Sequence, residues 1–227
     1  FPAVTRLRLH FPPHDADESA LNPIATMSQL QTLGIFDTPF VEERDEFSIP
    51  ARAFKSLGSL TLLRSLNISS SFFPRFVEEN DLHNSRDRFT RADASEMLSR
   101  LTALEHLAVY INPSVGDPIY LYESISIHCP NLSSIHFMGM VDLQHFESPN
   151  PPVLRNVKQM IISEIDIGIT AARAARLINN FAPKLEMLFI ATEAARWTKI
   201  HTAWVNLRTQ GFCESDHLPL ELMSEEE

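Results

Sequence analysis

One short apolar pattern recurs along the chain, and it constrains the fold more than any other feature of the sequence. The pattern reads apolar-x-x-apolar-x-apolar. CPNLSSIHFMGM and APKLEMLFIATE both contain it, with unrelated residues in the variable positions. A single copy would be weak evidence, but seven copies whose first positions lie 25 to 41 residues apart indicate a repeat architecture. The copies begin at Val4, Leu30, Leu63, Leu104, Leu132, Val157 and Leu185.

The pattern is typical of a short β-strand. Its last two apolar residues are two positions apart and share one face, while the residue between them points to the other face. The intervals leave room for a crossover after each strand, so the strands should run parallel in one sheet. The sequence therefore predicts an α/β fold, a curved solenoid of stacked repeats. About seven parallel strands would line its concave face, and helices or irregular segments would form its convex face.

Several intervals have the periodicity of amphipathic helices. TAARAARLINNF has apolar residues at i, i+3, i+4 and i+7, and Thr170 is its predicted N-cap. DASEMLSRL is predicted to begin a helix at Asp93, with Glu96 three residues later as in a capping box. IYLYESISIH carries His128 on its inward stripe, which we interpret as a hydrogen-bonded core histidine.

The C-terminal part of the chain has a different character. ARWTKIHTAWVNLRTQGF spaces Trp197, Ile200, Trp204 and Leu207 at helical intervals, which predicts a capping helix over 194–212. A partner-binding amphipathic helix is the alternative interpretation of this stretch. The acidic residues 213–227 are predicted to be a frayed tail. The whole of 1–227 is interpreted as a single domain.

Composition excludes some functions. The formal net charge of −10 argues against general binding of nucleic acid or of an anionic membrane, because both require clustered cations. No apolar run approaches the roughly 18 residues of a membrane span. Cys129 and Cys213 lie far apart and match neither a disulfide framework nor a CxxC pair, so we expect an intracellular protein, cytoplasmic or nuclear. The chain opens on Phe1 without a methionine, which suggests a fragment of a longer protein.

No motif for catalysis or cofactor binding is found. GxSxG, HExxH, GxxxxGK[ST] and GxGxxG do not occur, and six glycines offer no phosphate-binding loop. His106 and His136 fall on adjacent predicted strands but lack a third metal ligand. Cys129 is interpreted as a packing residue rather than a nucleophile. We therefore expect no catalytic residues, no metal and no cofactor, and a protein that is not an enzyme.

Three stretches carry a resemblance to a known family. CPNLSSIHF, APKLEMLFI and LTALEHLAV resemble the irregular leucine-rich repeats of fungal F-box proteins, in which a helix ends in Cys-Pro or Ala-Pro and the next strand begins with Leu. The resemblance extends from Val4 to about Thr192. It implies that 1–227 is a single leucine-rich repeat domain, an α/β leucine-rich repeat solenoid shaped as a horseshoe arc. It also implies that this domain is the substrate-recognition part of an F-box-type ubiquitin-ligase receptor. The F-box itself, which binds the cullin-RING adaptor, would precede Phe1. A generic leucine-rich repeat scaffold unrelated to ubiquitination is the alternative.

The resemblance also implies a binding surface. The family holds its protein partner on the concave strand face, so the candidate residues lie beside the paired apolar positions of each strand. His106, Tyr110, His136 and Met138 form the predicted centre of this surface, because aromatic anchors dominate interface energetics. The alternative interpretation is that these residues are solvated sheet positions. The candidates are Arg6, Arg8, His10, Phe36, Asn67, His106, Tyr110, His136, Met138, Gln159, Met187 and Phe189.

Overall fold

The computed structural model describes residues 4–11, 21–37, 55–68, 90–111, 119–147, 151–165, 169–190 and 194–210. Among these residues, seven strands form one sheet in which the spatial order follows the chain order and every neighbouring pair is parallel. The predicted α/β class with a seven-stranded parallel sheet is therefore confirmed. The strands are β1 Arg6–Phe11, β2 Thr32–Asp37, β3 Ser65–Ile68, β4 His106–Ile111, β5 Ser134–Val141, β6 Gln159–Ile165 and β7 Met187–Ile190.

Helical segments lie between the strands. The longer helices α2 to α5 all lie after β3, and two 3-10 helices, Leu57–Ser59 and Leu143–Glu147, complete the described segments. The α-helices are α1 Asn22–Ala25, α2 Arg91–Arg100, α3 Ile119–His128, α4 Ala171–Phe181 and α5 Ala194–Gln210.

The apolar positions of the recurring pattern form two aligned rows across the sheet. Because the strands pair in register, each second apolar residue lies opposite its counterpart on the next strand, and so does each third one. Most members of both rows are buried, and they form one core with the inward side chains of the helices. The second positions are Leu7, Leu33, Leu66, Leu107, Ile135, Met160 and Leu188, and the third are Leu9, Ile35, Ile68, Val109, Phe137, Ile162 and Ile190.

The turns before β2 to β7 have the same hydrogen bonds in successive copies. The first apolar residue closes the turn by donating its N–H to the carbonyl three residues earlier, as Leu30 does to Met27 at 2.9 Å. The carbonyl just before β1, that of Thr5, then accepts the N–H groups of both Gln31 and Thr32 at 2.8 and 3.0 Å. The same double acceptance recurs at the carbonyls of Gln31, Arg64, Glu105, Ser133 and Lys158. We call each stretch from one first apolar position to the next a unit, and this bond joins each unit to the one before it.

Side chains add a second link between units near the ends of the helices. The Nδ2 of Asn131 donates to the carbonyl of Thr102 at 2.8 Å, and the Nδ2 of Asn156 donates to the carbonyl of Pro130 at 2.7 Å. These carbonyls lie in turns where no helical hydrogen bond satisfies them, so a donor from the next unit satisfies a group that would otherwise depend on solvent.

Helix α2 begins three residues earlier than predicted. Thr90, not Asp93, is the N-cap, because its hydroxyl accepts the Asp93 N–H at 3.2 Å while the Asp93 carboxylate accepts the Thr90 N–H at 2.9 Å. This is a capping box with Asp93 at its third helical position. Lys55 also contacts Asp93, at 2.8 Å. Burial alone would raise the pKa of the Asp93 carboxyl, but hydrogen bonds from Lys55 and Thr90 outweigh it and hold the pKa below its ordinary value.

The other helical predictions agree with the structure. Thr170 caps α4 by accepting the N–H of Arg173 at 3.2 Å. The imidazole of His128 is half-buried, and its Nε2 lies 2.7 Å from the hydroxyl of Ser95, which links α3 to α2. Cys129 is buried, and burial raises the pKa of its thiol to about 12, as expected for a packing residue.

Helix α5 covers most of the predicted C-terminal helix. It packs against α4 and β7, with Ile200 and Trp204 buried. The indole of Trp197 and the predicted tail 213–227 lie outside the described part of the chain.

Four aromatic rings form a cluster in the core. Tyr122 of α3 lies with its ring centroid 5.2 Å from those of Phe137 and Phe146 and 5.7 Å from that of Phe181. Phe146 and Phe181 stack at 4.0 Å with an interplanar angle of 15°. The cluster joins side chains from β5, α3, α4 and the 3-10 helix before β6, so it holds several units together.

Removing one ring of this cluster should be costly. We expect Phe181→Ala to lower the free energy of unfolding by about 3–5 kcal/mol, because the ring is buried and its loss leaves a cavity. Phe189→Ala is the matched control, since that ring is 57% exposed and its loss should change stability by less than about 1 kcal/mol. Urea unfolding monitored by circular dichroism measures both. Similar losses in the two variants would contradict the assigned burial.

Candidate functional site

One face of the sheet is formed by the residues that alternate with the buried rows, and we call it the open face. The strand register aligns these residues into two complete rows across all seven strands. The first row is Arg6, Thr32, Ser65, His106, Ser134, Gln159 and Met187, and the second is Arg8, Gly34, Asn67, Ala108, His136, Ile161 and Phe189.

All twelve candidate residues named from the sequence occupy positions of this face. Eight of them belong to the two complete rows. The other four lie one step further along their strands, where His10 is opposite Phe36 and Tyr110 is opposite Met138. The side chain of Tyr110 is outside the described set, so only its strand position is known. The register thus brings the candidates together, and their role in binding stays a prediction.

The β1–β2 end of the open face is cationic and aromatic. The guanidinium groups of Arg6 and Arg8 are exposed and pair with no carboxylate among the described residues. The rings of His10 and Phe36 stack with centroids 5.4 Å apart and an interplanar angle of 24°. The Phe36 ring lies over Gly34, where a Cβ atom would overlap it. Glycine at this position therefore lets an aromatic ring lie flat against the sheet.

The middle of the open face is polar and has small side chains. Ala108 separates Asn67 from His136 in the second row. The Asn67 Oδ1 atom is buried and accepts no hydrogen bond from the described residues. His136 is half-buried, and this burial lowers the pKa of its imidazole below the ordinary value of 6.5.

The β5–β7 end of the open face is apolar. Met187 and Phe189 on β7 are each 57% exposed, and Ile161, opposite Phe189, is half-buried. The sequence placed the centre of the surface at His106, Tyr110, His136 and Met138, whereas the most exposed apolar side chains of this face lie on the last strand. Their exposure follows from position, because among the described strands β7 has a neighbour on one side only.

Sequence analysis missed one exposed apolar residue, Met140. A β-bulge interrupts the pairing of β5 with β6. Between the pairs Phe137–Ile162 and Met140–Glu164, β5 has two residues, Met138 and Gly139, where β6 has only Ser163. Gly139 has a φ of 89°, a left-handed conformation that glycine adopts without strain. The register therefore shifts by one residue, and Met140 is left 36% exposed opposite Glu164. The glycine between two methionines in MGM was the available signal.

Charge is distributed unevenly around the open face. The fourteen positions of its two complete rows contain no Asp or Glu, although the chain has 29 acidic residues and a net charge of −10. Four of the seven residues just before the strands are charged, and they pair across units as Arg64–Glu105 at 3.1 Å and Lys158–Glu186 at 3.0 Å. The two complete rows of the open face therefore lack carboxylates, while the charged pairs lie just before the strands.

Other kinds of site were sought in the same residues. Within the described ranges, no group of three or more His, Cys, Asp or Glu side chains is placed to hold a metal ion. A cleft of about 80 Å³ lies beside Ile125, Cys129 and Leu154, away from the open face. Small-molecule pockets are usually larger, roughly 300–1,000 Å³. No helix in the described part of the chain combines the length and apolarity needed to cross a bilayer.

Comparison with known proteins adds no relative. The chain matches no protein-family model, and a search of curated proteins finds no match to it.

The burial of His136 predicts a pH dependence. Because the folded state lowers the pKa of this imidazole, the unfolded state binds more protons below about pH 7, and stability should fall as the pH drops through 6.5 towards the folded pKa. As the pH is lowered from about 7.5 to 5, we expect the free energy of unfolding to fall less for His136→Gln than for the wild type.

NMR titration of the histidine Hε1 protons provides the direct measurement. A resonance that titrates below pH 6.5 should be present in the wild type and absent in His136→Gln. A His136 resonance that titrates at 6.5 or above would contradict the assigned burial.

Proposed function

We propose that this chain is a protein–protein interaction module that binds its partner on the open face. The observation that carries the proposal is the composition of that face. In a strongly acidic chain, the two complete rows hold no carboxylate, and they end in the exposed side chains of Met187 and Phe189. Depletion of acidic residues together with exposed aromatic, methionine and arginine side chains is characteristic of interface cores. Catalysis is not part of the proposal.

The architecture proposed for this module is a leucine-rich repeat solenoid, with the open face on its concave side. Three observations support it: the seven recurring patterns, the sequential order of the parallel strands, and the turn hydrogen bonds repeated from unit to unit. The pairwise packing of α2 on α3 and of α4 on α5 is also consistent with stacked units.

We further propose that the bound protein is a substrate for ubiquitination. The support is the resemblance of the Cys-Pro and Ala-Pro units to the repeats of fungal F-box proteins. In that arrangement an F-box outside these residues would bind the cullin-RING adaptor, and the open face would bind the substrate inside the cell. A scaffold unrelated to ubiquitination would use the same face without the adaptor.

Affinity purification of the full-length parent protein tests both parts of the proposal. We expect the adaptor to co-purify with the wild type and with Met187→Ser/Phe189→Ser, because this double variant changes only the open face. The same variant should reduce recovery of the ubiquitinated partner about tenfold or more, since loss of exposed aromatic anchors is costly to an interface.

Ile127→Ser is the matched control, because Ile127 is 67% exposed but lies on α3. It should leave both associations unchanged. Absence of the adaptor from every purification would exclude the ubiquitin-ligase role and leave the scaffold. Partner recovery that drops in Ile127→Ser and not in the double variant would place binding elsewhere.

A further inference from the structure

We infer that the partner of the open face is a polypeptide with carboxylates at one end of its contact surface and apolar side chains at the other. The carboxylates would contact the β1 end and the apolar side chains the β5–β7 end. This inference rests on the proposed function and specifies the chemistry of the partner.

The cationic end of the face has no counter-charge among the side chains that the structure describes. Arg6 and Arg8 are exposed, lie two residues apart on the same face of β1, and make no ion pair with any described residue. Away from this face, by contrast, Arg91 contacts Glu123 at 2.8 Å, so arginines elsewhere in the fold do find partners. A guanidinium group forms paired hydrogen bonds with a carboxylate and retains its charge in an interface, so the chemistry it favours is an acidic side chain.

The apolar end offers an anchor site. Phe189 and Ile161 lie side by side in the second row, and Met187 precedes Phe189 on the same face of β7. Methionine adapts its shape to different apolar partners, and aromatic rings supply a large contact area. These residues favour an aliphatic or aromatic side chain of the partner over a charged one.

The separation of the two ends decides the size of the partner. Six steps of about 4.8 Å separate β1 from β7, so the span is about 29 Å. An extended peptide needs about nine residues to cover this distance at roughly 3.3 Å per residue. A small molecule cannot contact both ends, whereas a peptide segment or a protein surface can.

The charge of the face disfavours a basic partner. A basic peptide would meet two arginines and no carboxylate in the two complete rows, so its cations would be repelled or left unpaired. The net charge of −10 repels an acidic partner at long range. At physiological salt, charges more than about 8 Å apart are largely screened, so this repulsion is weakened more than the direct contacts with Arg6 and Arg8.

Selection from a phage-displayed library of random 16-residue peptides tests this inference, with the 227-residue chain as the immobilised target. We expect the enriched peptides to combine at least two Asp or Glu residues with a separate cluster of Phe, Leu, Met or Trp. The best of them would then be synthesised, together with a version in which Asn and Gln replace its acidic residues. Fluorescence anisotropy would measure the dissociation constant of each peptide.

Two double variants test the two ends of the open face separately. Arg6→Gln/Arg8→Gln should weaken binding of the acidic peptide about tenfold and leave binding of its neutral version nearly unchanged. Met187→Ser/Phe189→Ser should weaken both peptides. Arg155→Gln is the control for the arginines, because Arg155 is exposed and lies in the turn before β6, and Ile127→Ser is the control for the apolar pair.

The outcomes separate this inference from the proposed function. Enriched peptides without acidic residues that still lose affinity in Met187→Ser/Phe189→Ser would overturn the inference and leave the open face as the binding surface. Acidic peptides with unchanged affinity in Arg6→Gln/Arg8→Gln would also overturn it. Peptides unaffected by either pair of substitutions would contradict both the inference and the use of this face.

Discussion

Lateral stacking of the units is the constraint on which the rest of the structure depends. A unit of about 28 residues loses roughly 1–2 kcal/mol of conformational entropy per ordered residue, while each buried Leu or Ile returns only about 1.5–3 kcal/mol. A unit can therefore stay folded only if neighbouring units help to bury its two inward strand residues. The doubly accepting carbonyl before each strand fixes where the next unit attaches, so the inward residues of all seven strands meet in register. The same geometry leaves the alternate residues outside the core.

Because the inward residues form the core and the outward residues do not, the open face can differ in chemistry from the rest of an acidic molecule. The inward positions must be apolar, but nothing in the stacking requires the outward positions to lack carboxylates. Arg6 at one end and Phe189 at the other are both compatible with the same backbone register. The composition of the outward rows therefore carries information about binding that the core does not, and this is why the proposed function rests on those rows.

Much of the fold could be predicted because it depends on local periodicity. The alternation of apolar residues located the seven strands, and the helical spacing after Thr170 located α4 with its cap. The start of α2 was wrong because the sequence offers two acceptable caps three residues apart, and a hydrogen bond from the Thr90 backbone to Asp93 favours the earlier one. The bulge at Gly139 depends on a single residue with positive φ, which periodicity does not detect.

The outward strand positions of the candidate residues could be predicted from the sequence, but the exposure of their side chains could not. Strand alternation is enough to assign His106 or Phe189 to the outward side. How far a side chain is exposed depends instead on the strands that flank it, and sequence spacing alone gave no weight to the position of β7 as the last described strand.

The links between units occur at the start of each strand, whereas the lengths of the units vary from 25 to 41 residues. Extra residues are therefore accommodated without disturbing the attachment point. A whole unit could be duplicated or lost in evolution, and the surface would lengthen or shorten by one strand while every remaining strand kept its neighbours' alignment. The open face of such a chain can gain or lose strands one at a time, and the outward residues of each strand can change independently of those on the other strands.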